Sequence, residues 1–148
     1  MTILTTTDLP TRADCWHDES TVISGNALTR TIDAAQTHNL YVYQNASANG
    51  DIFTQSMFLR AGTYTLSVLG ETTANSGLVD WYFDGAPIVS GQDWYSGATV
   101  RNVVKVSASF TVASDGYHVL KGTVNGQNGA SGGYDLKLTK MWLKQAAD

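Results

Sequence analysis

Cysteine, charged residues and long apolar runs are all scarce in this chain of 148 residues. Its single cysteine, Cys15, cannot form an intramolecular disulfide, which excludes a small secreted fold held together by disulfides. Charged residues make up only 15% of the chain, against a usual share of about 25%. No stretch reaches the roughly 20 apolar residues that a membrane-spanning helix needs. The sequence therefore predicts a domain that folds on a hydrophobic core and does not insert into a membrane.

Positive charge is also scarce and scattered, which bears on the partners of the chain. The net charge is −4, with nine lysine and arginine residues, whereas phosphate backbones are bound by clustered basic side chains. The densest basic group, Lys137, Lys140 and Lys144, is predicted to line one solvated strand edge. Residues 1–8 have neither the basic segment nor the apolar segment of a signal peptide. We therefore predict no nucleic-acid partner and synthesis in a cytoplasm.

Alternation of apolar and polar residues, with a period of two, is the main pattern that the sequence does contain. Tyr64, Leu66 and Val68 show it clearly, and this period is typical of strands with one buried face. The best helix-like segment, residues 26–37, alternates as well and is rich in threonine. Since β-branched residues are stiff and favour strands, this segment is predicted to be a strand and a turn.

Turn signals divide the alternating segments and define the fold class. Asp84-Gly85 between two apolar stretches predicts a tight hairpin, because glycine accepts the positive φ that such a turn requires. Pro87 predicts that the returning strand lies at a sheet edge. Turns recur about every 8–12 residues, as in sandwiches and barrels. The sequence thus predicts an all-β fold, a sandwich or barrel of about eight to nine antiparallel strands, over residues 26–148, after an irregular N-terminal arm over residues 1–25.

The alternation changes phase near the C-terminus. Leu136 and Leu138 keep one parity, whereas residues 140–143 shift to the other. Such a shift predicts a β-bulge. Trp142, beside this bulge, is predicted to lie in the core.

The order of four segments resembles that of a known group of proteins. The segments are FLRAGTYTL at 58–66, YFDGAPI at 82–88, SFTVASDGYHVL at 109–120 and SGGYDLKL at 131–138. Together they resemble the β-jelly-roll modules shared by carbohydrate-binding modules and by phage virion surface proteins, such as tail fibres and capsid decoration (cement) proteins. The resemblance covers residues 51–143 and implies that the predicted fold is a jelly-roll β-sandwich. Its motifs are structural, so it supports the fold more firmly than a function.

Two non-enzymatic functions follow from this resemblance. The first is a phage virion structural protein at the particle surface: a capsid decoration protein that self-associates, as a trimer, after synthesis in the bacterial cytoplasm. It would be anchored to a major capsid or tail protein through its N-terminal arm, where the candidate contacts are Trp16, His17, Asp18 and Glu19. The alternative is a carbohydrate-binding or receptor-binding module, on a tail fibre or in a glycan-binding protein, whose partners would include host surface glycans.

Four aromatic residues are the candidate ligand or interface residues. Trp81 and Tyr82 are neighbours on one strand, so one of them is predicted to point away from the core. Trp94 and Tyr95 lie in a glycine-flanked segment that is predicted to be a loop. Exposed rings there can stack on sugars or form a subunit interface, where tryptophan and tyrosine are enriched. Core packing is the alternative for all four.

The sequence contains no convincing catalytic or metal-binding motif. Cys15 and residues 17–19 are adjacent or nearly so, and neighbours on an extended chain point in opposite directions. Asp84 and Asp115 precede glycines, where aspartate caps the backbone of a turn. The same interpretation extends to Asp80, Asp93 and Asp135, so no carboxylate pair is assigned to glycoside hydrolysis. We predict no catalytic residues, no metal site and no cofactor, while a structural calcium among loop oxygens stays open.

Overall fold

The computed structural model describes residues 12–14, 28–31, 42–45 and 48–146, together with Ala35. Within these residues the chain forms eleven β-strands and no helix, so no described helix can cross a membrane. All neighbouring strands pair antiparallel. The strands are β1 (Arg12–Asp14), β2 (Leu28–Thr31), β3 (Val42–Asn45), β4 (Gly50–Leu59), β5 (Gly62–Thr72), β6 (Gly77–Phe83), β7 (Ala86–Asp93), β8 (Val100–Val106), β9 (Phe110–Val112), β10 (Gly116–Gln127) and β11 (Leu136–Gln145).

Two sheets form a sandwich. The sheet of seven strands has the order β2-β3-β11-β5-β8, with β1 beside β11 and β9 beside β5, and the sheet of four strands has the order β4-β10-β6-β7. From β4 onward the chain passes back and forth between the sheets, as in a jelly roll. The predicted all-β jelly-roll sandwich is confirmed, and the strands β4 to β11 match the predicted number. β1 falls within the predicted N-terminal arm and pairs with β11.

The core lies between the two sheets and follows the predicted alternation. On β5, Tyr64, Leu66 and Val68 are buried. Apolar side chains at alternate positions of β4, β6, β10 and β11 pack against them. Fully burying one such side chain contributes about 1.5–3 kcal/mol, so this layer accounts for much of the stability. The largest buried side chains of the cluster are Trp81, Trp94, Tyr64, Leu66, Leu120, Leu136, Met141 and Leu143.

The hairpin between β6 and β7 has the predicted turn. Asp84 and Gly85 both have positive φ, 49° and 79°, which is the backbone of a type I′ turn. β7 is an edge strand of the four-stranded sheet, as Pro87 predicted. The turn therefore pairs Phe83 with Ala86 at the start of the hairpin, and it holds the Asp84 carboxylate at one end of the sandwich.

One prediction for the C-terminal strand is confirmed and two were wrong. The predicted bulge exists, because the register of β11 with β5 shifts between Leu138 and Lys140. It places Trp142 opposite Ser67 on the outer side of the sheet, where the indole is only half-buried, so Trp142 is not a core residue. β11 also lies between β3 and β5 and is not an edge. Lys137 on β11 is therefore paired across the sheet with the buried Glu71, at 3.0 Å.

Candidate functional site

Two exposed aromatic rings lie side by side on the outer face of the four-stranded sheet. Phe58 of β4 and Tyr117 of β10 are opposite each other in the antiparallel register. Their ring centroids are 5.6 Å apart and their planes meet at 83°, an edge-to-face arrangement that aromatic pairs favour. Phe58 is 55% exposed and Tyr117 is 80% exposed. A ligand in solution can therefore reach both rings.

Strand alternation explains why these rings are outside. Met57 and Leu59, on either side of Phe58, are buried in the core, and so is Leu120, three residues after Tyr117. Successive side chains of a strand point to opposite faces of the sheet. Burial of the neighbours therefore forces Phe58 and Tyr117 outward, and no change of rotamer can return them to the core.

The same outer face continues across β10 and β6. Val119 is 40% exposed, and Lys121 and Tyr82, which are paired across the strands, are half-buried. Phe58, Tyr117, Val119, Lys121 and Tyr82 together form the aromatic face. At about 3.4 Å per residue, the part of β10 from Tyr117 to Lys121 spans about 14 Å. The aromatic face is thus long enough to contact several consecutive units of an extended, chain-like ligand.

A carboxylate fixes the polar end of this face. Asp80 on β6 is 6% exposed. Its Oδ1 accepts the backbone N–H of Gly91 at 2.6 Å, and its Oδ2 accepts the Asn125 amide at 2.7 Å and the Tyr82 hydroxyl at 3.4 Å. Hydrogen bonds of this kind satisfy a buried charge. Asp80 therefore positions Tyr82 and ties β6 to β7 and β10, which is a structural role.

The two tryptophans predicted as ligand or interface residues lie in the core. Trp81 and Trp94 are both 0% exposed, and both indole N–H groups donate to Oε1 of Gln92, at 3.0 and 3.1 Å. Trp94 fits because Gly70 has no side chain: a Cβ there would lie 2.9 Å from the indole. A fully buried ring cannot stack on a ligand, so for Trp81 and Trp94 the alternative of core packing holds. Trp94 does follow the end of β7, outside the strands, as predicted.

The two tyrosines have different surroundings. Tyr82 faces away from the core and belongs to the aromatic face, which agrees with the prediction that one of Trp81 and Tyr82 points outward. Tyr95 is half-buried, forms an isolated bridge with Thr73, and donates its backbone N–H to Asp93 at 2.8 Å. Tyr95 therefore lies beside the end of β5, a strand of the other sheet.

A histidine–aspartate pair lies at the end of the aromatic face where β10 begins. His118 Nδ1 is 2.6 Å from Asp84 Oδ2, and Nε2 is 3.1 Å from the backbone oxygen of Ser114. The hydrogen bond with Asp84 raises the pKa of His118 above its ordinary value, although burial opposes this. Burial alone raises the pKa of Asp84, but hydrogen bonds from His118 and the Val119 N–H bring the net pKa below its ordinary value.

Two acidic candidates bind backbone N–H groups of distant segments. Asp84 Oδ1 accepts the Val119 N–H at 2.8 Å, and Asp115 Oδ1 accepts the Ala61 N–H at 2.8 Å. The prediction that these carboxylates cap the backbone of their own turns was therefore wrong, because each one joins its turn to another strand or hairpin. Within the described part of the chain, no group of three or more histidine, cysteine, aspartate or glutamate residues can hold a metal ion. The candidate arm contacts Trp16, His17, Asp18 and Glu19, and also Cys15, lie outside the described residues.

Sequence reasoning did not single out Phe58 and Tyr117 as functional residues, although a signal was present. Each is an aromatic residue with the parity opposite to that of the apolar core positions, namely Leu59 for Phe58 and Leu120 for Tyr117. Each also lies next to a turn. Outward-pointing aromatic residues at the ends of two neighbouring strands of a sheet indicate a candidate binding surface, provided that the strand pairing is known.

Comparison with known proteins bears on the fold alone. No protein-family model matches the chain, and no curated protein matches it. Among solved structures, a xanthan lyase from Paenibacillus matches 93% of this chain with a TM-score of 0.75 and 18% identity, but this chain spans only 13% of that enzyme.

Two carbohydrate-binding modules match over nearly their whole length. A family 35 module from Clostridium thermocellum matches 90% of this chain and 97% of its own, with a TM-score of 0.56 and 14% identity. A CBM36 module, solved in complex with calcium and xylotriose, matches 91% of this chain and 98% of its own, with a TM-score of 0.52 and 14% identity. The fold is thus that of the jelly-roll sandwiches to which carbohydrate-binding modules belong.

Proposed function

We propose that this domain is a non-catalytic carbohydrate-binding module that holds a polysaccharide chain on its aromatic face. The observation that carries the proposal is the pair of exposed rings, Phe58 and Tyr117, on the outer side of the four-stranded sheet. The similarity of the whole chain to complete carbohydrate-binding modules supports it. The carboxylates of Asp84 and Asp115, at this end of the domain, are occupied by the backbone N–H groups of Val119 and Ala61.

The chemistry of the aromatic face suits a sugar chain. Aromatic rings offer a flat apolar surface for the C–H groups of a sugar, while tyrosine adds a polar hydroxyl at its tip. Tyr82, Lys121 and Tyr117 place hydrogen-bonding groups beside the rings. Large exposed apolar groups cost solubility unless they are used, so a contiguous patch of this kind marks a binding surface.

Binding to a panel of soluble polysaccharides tests the proposal. The panel includes xylan, xanthan and a β-1,3-galactan, measured by affinity electrophoresis and then by titration calorimetry. With a ligand in hand, Tyr117→Ala and Phe58→Ala are each expected to weaken binding about tenfold, the equivalent of one aromatic contact. Val106→Ala is the control, since Val106 is similarly exposed, at 57%, but lies on the other sheet.

Two results would overturn the proposal. If the wild-type protein binds no polysaccharide on a broad panel, carbohydrate binding is wrong. If it binds one and both ring substitutions leave the affinity unchanged, the module binds sugar at another surface and the assignment of the aromatic face is wrong.

The virion role stays a prediction, and one observation makes it worth testing. The edge strand β8 exposes Val100, Val104 and Val106, at 46, 49 and 57%, an apolar strip suited to a second subunit. Light scattering after size exclusion distinguishes a trimer from a monomer. If the protein is a trimer that Val104→Lys dissociates, self-association through β8 is supported; a wild-type monomer contradicts it. Deletion of residues 1–25 tests the anchoring role of the N-terminal arm. If incorporation of the protein into particles is unchanged by the deletion, that role is wrong.

A further inference from the structure

The ring of His118 lies between two groups that can only accept hydrogen bonds. Nδ1 faces the carboxylate of Asp84 at 2.6 Å, and Nε2 faces the backbone carbonyl of Ser114 at 3.1 Å. A neutral imidazole carries one N–H and can satisfy only one of them, whereas the imidazolium carries two. The observed geometry is therefore complete only when His118 is protonated.

These contacts fasten the start of β10 to two turns. Asp84, in the hairpin turn, donates its backbone N–H to the Val119 carbonyl at 2.9 Å and accepts the Val119 N–H through Oδ1 at 2.8 Å. The Ser114 carbonyl belongs to the turn that leads from β9 into β10. His118 thus links both turns to the strand segment that carries Tyr117. The position matters because Tyr117 is the second residue of β10, where a strand end frays most easily.

Asp84 is the charged partner of His118 at this end of the domain. Phe83 of β6 stacks on the imidazole, with a centroid distance of 5.3 Å and an interplanar angle of 22°. On β4, the residue opposite His118 is the uncharged Met57. The other charged groups nearby are Asp115, whose Oδ1 accepts the Ala61 N–H, and Arg60, which follows β4. Titration of His118 therefore acts mainly through the pair with Asp84.

We infer that His118 is a positioning residue for the aromatic face, and that its imidazolium form holds Tyr117 in the orientation that binds sugar. The inference rests on the proposed carbohydrate-binding function. When His118 loses its proton, one of its two hydrogen bonds is lost and the start of β10 becomes looser. A ligand must then order this segment as it binds, and ordering a loose segment lowers affinity.

The direction of the pH dependence follows from linkage. Because the pKa of His118 is raised in the folded protein, its contribution is complete below the ordinary histidine pKa and disappears as the pH rises through the raised value. Because the pKa of Asp84 is lowered, its contribution is present above the ordinary aspartate pKa and disappears as the pH falls through the lowered value. The two hydrogen bonds of His118, to Asp84 and to Ser114, are here called the clamp. The clamp is thus intact in mildly acidic solution and is lost as the pH rises through the raised pKa of His118.

The test combines binding with nuclear magnetic resonance. Affinity for a polysaccharide that the binding panel identifies is measured from about pH 5 to pH 9, a range that brackets histidine titration, while the His118 ring is titrated separately. We expect the affinity to fall about fivefold as the pH rises, the equivalent of one hydrogen bond. The midpoint of this fall should coincide with the midpoint of the His118 titration. His118→Gln should bind at the weaker level at every pH. Asp84→Asn should move both midpoints to lower pH together.

The control is Asp93→Asn, which removes a carboxylate whose partners are the Tyr95 N–H and the Asn128 amide and should leave the pH profile unchanged. If the affinity of the wild type does not change while His118 titrates, the inference is wrong and the carbohydrate-binding proposal is untouched. If no polysaccharide binds, the proposed function is wrong. The contacts of His118 are then judged by the protection factor of the Val119 amide, its exchange rate relative to an unstructured peptide at the same pH. The protection factor should fall as His118 deprotonates, and an unchanged protection factor refutes the role of His118 in holding this segment.

Discussion

The two indole rings inside the sandwich, Trp81 and Trp94, and the ring pair Phe58 and Tyr117 of the aromatic face are similar in chemistry but opposite in environment. Trp81 and Trp94 are completely buried and share one hydrogen-bond acceptor, Gln92. Phe58 and Tyr117 touch each other edge to face and are mostly exposed. Aromatic side chains thus serve both as the largest core residues and as the main exposed apolar surface of the same sheet.

The two pairs differ in their contribution to the free energy of unfolding. Burial of the tryptophans removes large apolar areas from water and stabilises the fold. The exposed rings contribute little to the stability of the isolated domain, because most of their surface stays hydrated. Retaining an exposed aromatic pair is therefore best explained by a ligand. Mutations should separate the pairs, with effects on stability inside and effects on binding outside.

The largest expected effect comes from removing an internal ring. Trp81→Ala should lower the free energy of unfolding by about 3–5 kcal/mol, because it leaves a cavity among fully buried neighbours and deprives Gln92 of a donor. Denaturant unfolding followed by circular dichroism measures it. Trp142→Ala is the matched control, since this half-buried tryptophan faces outward and should cost much less. Equal losses for both would contradict the placement of Trp81 in the core.

A smaller effect should follow when the space beside an internal ring is filled. A Cβ at position 122 would lie 2.6 Å from the Trp81 ring, and Trp81 is enclosed by the core. Gly122→Ala is therefore expected to destabilise the domain by about 1–3 kcal/mol through overpacking. Thermal unfolding checks this against Gly129→Ala, where an added Cβ meets nothing within 4 Å. A neutral Gly122→Ala would show that the ring can move aside.

Local chemistry was sufficient to predict the all-β class, the β6–β7 hairpin and the buried face of β5 from the sequence. Asp84-Gly85 can adopt the positive φ of a tight hairpin at low cost, and the alternation at Tyr64, Leu66 and Val68 allows only one buried face. These signals depend on neighbours in the sequence, so they could be recognised without knowledge of the tertiary structure. The pairing order of the two sheets depends on distant segments, and it came only with the structure.

The site could not be predicted in the same way, because exposure is decided by distant residues. Trp94 follows a strand in a glycine-flanked segment, and this pattern favours a loop in which the ring is exposed to solvent. Its burial depends on Gly70, which leaves room for the indole, and on Gln92, whose side-chain oxygen accepts the indole N–H. Conversely, Phe58 and Tyr117 became a pair only through the register of β4 with β10. A sequence pattern gives the parity of a residue but not its partner across the sheet.

The smallest expected effect on stability belongs to the aromatic face. Tyr117→Ala should change the free energy of unfolding by less than about 1 kcal/mol, because the ring is 80% exposed and loses only its contact with Phe58. Tyr64→Ala provides a matched comparison, since that tyrosine is 2% exposed in the core and should cost about 3–5 kcal/mol. Chemical denaturation of both variants measures the contrast. A large loss for Tyr117→Ala would mean that the aromatic face is a structural element, and the argument that a ligand explains its exposed rings would fail.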